Sequence, residues 1–132
     1  MTKTGTRQLP PPKRILIAED EPMVAHTLRM VLAVDGHAVE LAEDGVQALA
    51  MFDKSKHDLV ITDFKMSNMD GLELAEEIKK RSPTTPVILL TAYVEAIQGM
   101  GGHVSNVDFV LGKPCSVPQL QAALEKIFTA GS

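Results

Sequence analysis

Five short apolar segments recur along the chain, and each ends in a polar residue or is followed directly by one. They lie at Ile15–Ala18, Ala38–Ala42, Leu59–Asp63, Pro86–Thr91 and Val107–Gly112. In Leu59, Val60 and Ile61 the apolar residues are adjacent and do not alternate with polar ones. Such runs are typical of strands buried on both faces, as in a parallel sheet covered by helices. The pattern therefore predicts five strands of a sheet of this kind.

The segments between these strands have the apolar spacing of amphipathic helices. The first helix is expected to begin at Pro22, which suits a first helical turn, and to end at Asp35-Gly36. Ser116 and Gln119 match a capping box at the start of the last helix. The residues predicted to face the core are Val24, Leu28, Val31 and Leu32; Val46, Leu49 and Phe52; Leu72, Ala75 and Ile78; and Leu120, Leu124, Ile127 and Phe128.

A further helix is expected over residues 95–104, but its sequence is unfavourable. The segment contains three glycines, and each glycine costs about 1 kcal/mol relative to alanine inside a helix. We therefore expect this helix to be short, frayed or displaced.

Alternation of strands and helices predicts an α/β fold with a flavodoxin-like, doubly wound parallel sheet of five strands in the order 2-1-3-4-5. With 132 residues the chain is long enough for one domain with a real core. The domain is expected to span residues 14–129. Residues 1–13, which contain three consecutive prolines, are expected to form a flexible tail or linker, and residues 130–132 a short tail.

The composition restricts the classes of function. A net charge of −4 argues against a direct nucleic-acid surface, which requires a basic patch. Neither a membrane-spanning run nor a signal peptide is visible. The single cysteine, Cys115, cannot form an internal disulfide, which fits a cytoplasmic location. The histidines, which are His26, His37, His57 and His103, have no metal-binding spacing and are expected at the surface or in loops.

Polar side chains follow four of the predicted strands. Glu19 and Asp20 follow the first strand, Asp63 ends the third, Thr91 ends the fourth, and Lys113 follows the fifth. Parallel strands place these ends at one edge of the sheet, where three carboxylates would repel one another unless a cation lay among them. Oxygen ligands favour Mg²⁺. The opposing hydroxyl and ammonium suggest a phosphoryl ligand, and a carboxylate can itself be the nucleophile that forms an acyl phosphate.

Four sequence motifs resemble those of the receiver domain of two-component response regulators. They are Ile-Leu-Ile-Ala-Glu-Asp-Glu-Pro (15–22), Thr-Asp-Phe-Lys-Met-Ser-Asn-Met-Asp-Gly-Leu-Glu-Leu (62–74), Pro-Val-Ile-Leu-Leu-Thr-Ala (86–92) and Gly-Lys-Pro (112–114). Each motif alone is weak, but four in this order, each at a predicted strand tip, form a specific set. The resemblance covers about residues 13–129.

The resemblance implies a role for each matching residue. Asp63 resembles the phosphoacceptor, Asp20 a direct Mg²⁺ ligand, and Glu19 a ligand that acts largely through water. The backbone carbonyl of Lys65 would complete the metal site. Thr91 resembles the switch hydroxyl. Lys113 resembles the lysine that pairs with the acceptor, and the Lys113-Pro114 peptide bond is expected to be cis.

The chain departs from the family pattern on its expected output face. The family usually has an aromatic switch residue three positions before the lysine, and here that residue is Val110. Phe109 is adjacent, but neighbouring strand residues face opposite sides of a sheet. Ser67 replaces a proline that is common in the acceptor loop. Val110 and the glycines of 95–104 predict an unusual output surface, or one that orders only on phosphorylation or binding, whereas Ser67 predicts a looser acceptor loop.

The resemblance implies a signalling domain and not an enzyme that acts on metabolites. It would take a phosphoryl group from a histidine kinase or a phosphotransfer protein and then change its binding to an output partner that the sequence does not identify. A homodimer would use the face formed by 95–104, the last strand and the last helix.

Two alternative functions stay open at this stage. One is a binding module on the same scaffold that is not phosphorylated, which Val110 motivates. The other is an enzyme or cofactor protein on a related fold. A flavodoxin is disfavoured by the acidic loop after the first strand, and a dehalogenase-type phosphatase by Lys65, because that family has a second acid at this position.

Overall fold

Residues 10–94 and 105–129 are described by a computed structural model. The strands are β1 (Arg14–Ala18), β2 (Ala38–Ala42), β3 (Leu59–Asp63), β4 (Val87–Thr91) and β5 (Phe109–Gly112). The helices in these residues are α1 (Pro22–Val34), α2 (Gly45–Met51), α3 (Gly71–Arg81) and α4 (Val117–Thr129). All strand pairs are parallel, and their order is β2-β1-β3-β4-β5. The predicted fold class and topology are therefore confirmed, whereas the helix expected over 95–104 lies outside the described residues.

The core consists of two apolar layers, one on each face of the sheet. Ile15 and Ile17 of β1 belong to the layer that contains side chains of α1 and α4. Leu16 and Ala18 of the same strand belong to the layer that contains side chains of α2 and α3. Because both faces of the inner strands are covered, β3 and β4 are buried along their whole length, as their unbroken apolar runs predicted.

The predicted bounds of β2 and β3 are confirmed, whereas β1, β4 and β5 begin one or two residues from their predicted starts. The largest difference is in β5, which begins at Phe109 and not at Val107. The side chain of Asp108 accepts a hydrogen bond from the Val87 N–H at 2.8 Å. The Asp108 carboxylate thus accepts, at the start of β4, a hydrogen bond that a backbone carbonyl accepts within a regular sheet.

The predicted core faces of α1 and α4 are confirmed. Leu28 and Leu32 of α1 are buried, and Leu120 and Leu124 of α4 are buried as well. The remaining predicted residues of these helices, Val24, Val31, Ile127 and Phe128, are partly buried against the same core layer.

The predicted core faces of α2 and α3 need correction. In α3 the buried face consists of Gly71, Leu74, Ala75 and Ile78, so that Leu74 was missed and Leu72 is only half-buried. In α2, Val46 is 50% exposed, which makes its predicted core position wrong. The short helix α2 turns Gly45 and Ala48 inward instead. The predicted core positions of Phe52, Ala75 and Ile78 are confirmed, since all three are buried, and Leu49 is partly buried against the same core layer.

Gly71 brings the start of α3 against the end of β3. Its N–H donates to the Phe64 carbonyl at 2.8 Å, and a Cβ atom at this position would lie 2.2 Å from the Asp63 carbonyl oxygen. Only glycine permits this approach. Asp70 caps the helix through a capping box with Glu73. The loop that follows Asp63 is therefore fixed at its far end.

The predicted capping box of the last helix is present. The Ser116 N–H donates to Gln119 Oε1 at 2.8 Å, and the Gln119 N–H donates to Ser116 Oγ at 3.2 Å. The peptide bond between Lys113 and Pro114 is cis, as expected. None of the helices described here has the length and apolar character needed to cross a membrane.

His37 and His57 lie in loops, in agreement with the prediction of a surface or loop position, but both are buried. His57 is 4% exposed, accepts the Asp53 N–H at Nδ1, and contacts the Glu40 carboxylate at 2.7 Å. His37 is 5% exposed, and its Nδ1 accepts the Lys13 N–H at 2.9 Å. Each imidazole is thus enclosed because it satisfies a backbone donor.

The residues just before β1 contact the domain. Pro10 is buried, and the Lys13 carbonyl accepts the Ala38 N–H at 2.9 Å. The Lys13 ammonium lies 4.5 Å from the centre of the Phe128 ring. Lys13, which the sequence assigns to a tail, therefore extends the β1–β2 pairing and reaches α4.

His37 generates a prediction about pH. Burial lowers the pKa of His37 below its ordinary value of 6.5. The charge of Asp35 raises this pKa, and the charge of Lys13 lowers it further. A histidine with a lowered pKa in the folded state favours folding when it is neutral, so this stabilisation is lost as the pH falls below 6.5. We expect His37→Gln to lose less stability than the wild type between about pH 7.5 and about pH 5.5, measured by urea unfolding.

His26 provides the matched control for this measurement. It is exposed on α1, so His26→Gln should retain the full pH dependence of the wild type. Equal pH dependence in His37→Gln and the wild type would contradict the role given to His37.

Candidate functional site

Polar residues at four strand tips lie at one edge of the sheet. They belong to the inner strands β1, β3 and β4 and to the edge strand β5. Asp63 is the last residue of β3 and pairs with Leu90 of β4. Thr91 is the last residue of β4, and its carbonyl accepts the Lys113 N–H at 2.9 Å. Strand register alone thus places Asp63, Thr91 and Lys113 side by side.

Three carboxylates meet at this edge. Oxygen atoms of Glu19, Asp20 and Asp63 lie within 4.8 Å of one another. Glu19 is 2% and Asp63 7% exposed, whereas Asp20 is exposed. This donor set consists of oxygen alone, two members are buried, and the third is accessible from solvent. It fits a hard divalent cation such as Mg²⁺, which binds through carboxylates and retains several waters.

Lys113 supplies the positive charge for this cluster. Its ammonium lies 3.1 Å from Asp63 Oδ2 and 3.2 Å from Glu19 Oε1. Glu21 is further away, at 3.8 Å. Burial by itself lowers the pKa of Lys113, but the hydrogen bonds and charges of Asp63 and Glu19 outweigh burial and raise it. Lys113 is therefore a fixed cation at neutral pH.

Glu19 remains unfavourably placed as an anion despite this lysine. Burial raises the pKa of Glu19 to about 7, and the charge of Asp63 adds to that rise. The Glu21 N–H, 3.1 Å from Glu19 Oε2, and the Lys113 ammonium act in the opposite direction. One lysine is thus not enough to neutralise the two buried carboxylates, and a second cation would be favoured at this place.

The backbone fixes the orientation of the Asp63 carboxylate. Oδ1 accepts the Phe64 N–H at 2.8 Å, while Oδ2 contacts Lys113. The same Phe64 N–H also donates to the Leu90 carbonyl at 2.9 Å. Both carboxylate oxygens of Asp63 therefore have defined hydrogen-bond partners.

Thr91 lies beside Asp63 but its hydroxyl is engaged elsewhere. The residue is 1% exposed, and its Oγ1 accepts the Tyr93 N–H at 2.9 Å. Val110 is half-buried. Phe109 packs against the core layer that contains side chains of α1 and α4. The structure thus places valine, and not an aromatic ring, at the position where the family pattern has its switch residue.

The acceptor loop is tied to its surroundings although it lacks the common proline. Asn68 has φ +72°, and its amide donates to Asp44 Oδ2 at 2.9 Å. Asp44 is also the N-cap of α2. Asp20, Asp44 and Asn68 line a cleft of 670 Å³ that reaches Glu19. The acidic cluster is therefore open to solvent on this side.

Several contributors to the site were missed from the sequence. Phe64 acts through its backbone N–H, which no sequence pattern reveals. Glu21 was visible in the acidic run 19–21 but received no separate role. Lys65, predicted to act through its carbonyl, is exposed and directs its ammonium to the Tyr93 ring, 5.5 Å from the ring centre.

The fold and the site define a doubly wound α/β protein with a carboxylate and lysine centre at the strand tips. Residues 15–125 match the family model described as the response regulator receiver domain. The chain belongs to this family.

Named relatives agree with this assignment. The chain is 33% identical over 121 residues to the transcriptional regulatory protein TrcR of Mycobacterium tuberculosis, covering 92% of this chain and 47% of that protein. It is 33% identical over 116 residues to the response regulator MprA of a Mycobacterium species, covering 88% of this chain and 50% of that protein. The chain thus spans about half the length of these curated relatives.

Two solved structures show the same fold. The response regulator TrrA of Thermotoga maritima, in complex with Mg²⁺–BeF, has a TM-score of 0.78 and 34% identity, with 87% of this chain and 98% of that chain covered. The receiver domain of sensor histidine kinase PA1611 of Pseudomonas aeruginosa has a TM-score of 0.80 and 26% identity, with 89% and 99% covered. In that structure a magnesium ion is coordinated in the active-site cleft.

The position of Lys113 generates a stability prediction. Lys113→Met retains most of the side-chain volume but leaves the Asp63 and Glu19 carboxylates without their cation. Removal of one partner from a buried ion pair costs about 3 kcal/mol. We expect a loss of this size in the free energy of unfolding, measured with urea in the presence of a chelator.

Lys80→Met is the matched control for Lys113→Met. Lys80 forms ion pairs with Glu76 and Glu77 on the exposed face of α3, and such pairs contribute about 0.5 kcal/mol. Losses of similar size in the two variants would show that the Lys113 contacts do not hold the site together.

Proposed function

We propose that this chain is a phosphoacceptor signalling domain that takes a phosphoryl group onto Asp63. The observation that carries the proposal is the placement of Asp63. Its carboxylate contacts Lys113 at 3.1 Å and lies within 4.8 Å of the carboxylate oxygens of Glu19 and Asp20. A carboxylate that can act as a nucleophile, a fixed cation and further carboxylates that can bind a metal thus lie close together.

The phosphodonor is a phosphohistidine on a sensor kinase or a phosphotransfer protein. A carboxylate oxygen of Asp63 forms a bond to phosphorus while the phosphorus–nitrogen bond of the donor breaks, which leaves an acyl phosphate on Asp63 and a neutral imidazole on the donor after proton uptake. Lys113 is placed to contact an oxygen of the transferred group, because it already contacts the attacking carboxylate. The chain itself undergoes the reaction, so its product is a modified signalling domain.

A divalent cation completes the charge balance. Asp20 and Asp63 would bind Mg²⁺ directly, Glu19 through water, and Lys65 through its backbone carbonyl. When bound, Mg²⁺ supplies neutralisation of the charge on the phosphoryl oxygens. Support for this ion comes from the oxygen-only donor set and from the two similar proteins whose structures are described with magnesium.

The phosphorylated state would be read by a protein partner. Thr91 is adjacent to Asp63, and its hydroxyl would move from the Tyr93 N–H to the phosphoryl group. Since Val110 has no aromatic ring, the change in partner binding has to arise from the backbone of the turn after β4 and from the surface near β5.

The decisive test compares Asp63, at the end of β3, with Asp58, which lies just before β3 begins. Asp63→Asn removes the nucleophile, so we expect no phosphorylation by acetyl phosphate with Mg²⁺, measured as the mass of one added phosphoryl group. Asp58→Asn is the control, because Asp58 lies at the opposite edge of the sheet, where it pairs with Arg14 at 3.1 Å. This variant should be phosphorylated as the wild type is.

Two results would contradict the proposal. Equal labelling of Asp63→Asn and the wild type would exclude Asp63 as the acceptor. A wild-type protein that binds no Mg²⁺ at millimolar concentration and acquires no phosphoryl group would favour a binding module that works without phosphorylation.

A further inference from the structure

Lys65 and Tyr93 join the two loops that border the site. The Lys65 ammonium lies 5.5 Å from the centre of the Tyr93 ring, within the range of a cation–π contact. Lys65 is in the loop between β3 and α3, two residues after Asp63. Tyr93 is in the turn after β4, two residues after Thr91. The contact therefore connects the loop beside the nucleophile to the turn beside the hydroxyl.

Each end of this contact has a backbone anchor close by. The Phe64 N–H, next to Lys65, donates to the Leu90 carbonyl at 2.9 Å. The Tyr93 N–H donates to Thr91 Oγ1 at 2.9 Å. The acceptor loop is anchored again at Asn68 by its hydrogen bond to Asp44. Lys65 lies between Phe64 and Asn68 in the acceptor loop. Its side-chain contact therefore restricts the part of the loop that these two hydrogen bonds do not hold.

We propose that Lys65 is a positioning residue whose contact with Tyr93 organises the acceptor loop for Mg²⁺ before the ion binds. The inference rests on the proposed function, in which the Lys65 carbonyl is a metal ligand. A loop that is already ordered loses less entropy when the ion binds, so the contact increases the affinity for Mg²⁺.

A lysine beside a cation site has a second effect, which acts in the opposite direction. Its positive charge repels the incoming ion. The contact with the Tyr93 ring keeps the ammonium on the exposed side of the loop, where water and salt screen its charge. Tyr93 thus reduces the repulsion that a free Lys65 side chain would cause among the carboxylates. Both consequences of the contact favour Mg²⁺ binding.

The test measures Mg²⁺ affinity in four variants by titration of amide NMR shifts. Lys65→Met removes the charge and keeps the side-chain length, and Tyr93→Leu removes the ring. Each should weaken Mg²⁺ binding about two- to fivefold, which corresponds to an exposed cation–π contact. Tyr93→Phe retains a ring that binds cations and should equal the wild type. The double variant, Lys65→Met with Tyr93→Leu, should be no weaker than either single variant, because both remove the same contact.

The chain offers an independent readout of the contact itself. Tyr93 is its one tyrosine, and it has no tryptophan. Intrinsic fluorescence therefore reports on Tyr93 alone, and Lys65→Met should change this emission in the absence of any metal. Unchanged emission would show that the ammonium does not lie on the ring in solution.

Different outcomes separate this inference from the proposed function. Tighter Mg²⁺ binding by Lys65→Met would show that charge repulsion dominates, and normal binding by Tyr93→Leu would show that the ring has no role. Either result overturns the inference while the wild type still binds the ion. A wild type that binds no Mg²⁺ overturns the proposed function and this inference with it.

Discussion

The contact of the Lys113 ammonium with two buried carboxylates is the interaction on which the rest of the site depends. Glu19 and Asp63 come from different strands and are both nearly inaccessible to solvent, a position in which two negative charges are costly. The fold makes this arrangement obligatory, since the parallel register of β1, β3 and β4 fixes where their ends lie. Lys113 reduces the cost, but the pKa of Glu19 remains raised to about 7.

This incomplete neutralisation gives a physical reason for the proposed binding of a cation at the site. A site with balanced charge would gain little from an added cation. Under the proposed function, a divalent ion would favour the ionised form of Glu19 and would stabilise the folded arrangement in addition to any role in chemistry. In the proposed reaction, a phosphoryl group on Asp63 would bring new negative charge to the same cations. The balance of charge among Lys113, the ion and the acidic residues would then shift, and neighbouring groups would have to adjust to it.

The sequence predicted the topology and the residues that meet at the strand tips because both follow from simple rules. Unbroken apolar runs identify strands buried on both faces, and parallel strands carry their terminal residues to one edge. Helical phase was harder to predict, as Val46 and Leu72 show, because small residues such as Gly45 and Ala48 can also face the core. Burial of His37 was not predictable, since its partner Lys13 lies 24 residues away.

Contacts between loops were beyond the reach of sequence patterns for a related reason. The Lys65–Tyr93 contact depends on side-chain conformations in two loops that the fold brings together, and neither residue belongs to a periodic pattern. This contact also bears on how a signal leaves the site. Thr91 Oγ1 accepts the Tyr93 N–H, so a move of this hydroxyl toward Asp63 leaves that N–H without its acceptor. The turn that carries Tyr93 must then rearrange, and the ring must move relative to Lys65. With valine at position 110, such a move of Thr91 would reach the surface through the Tyr93 turn among the residues described here.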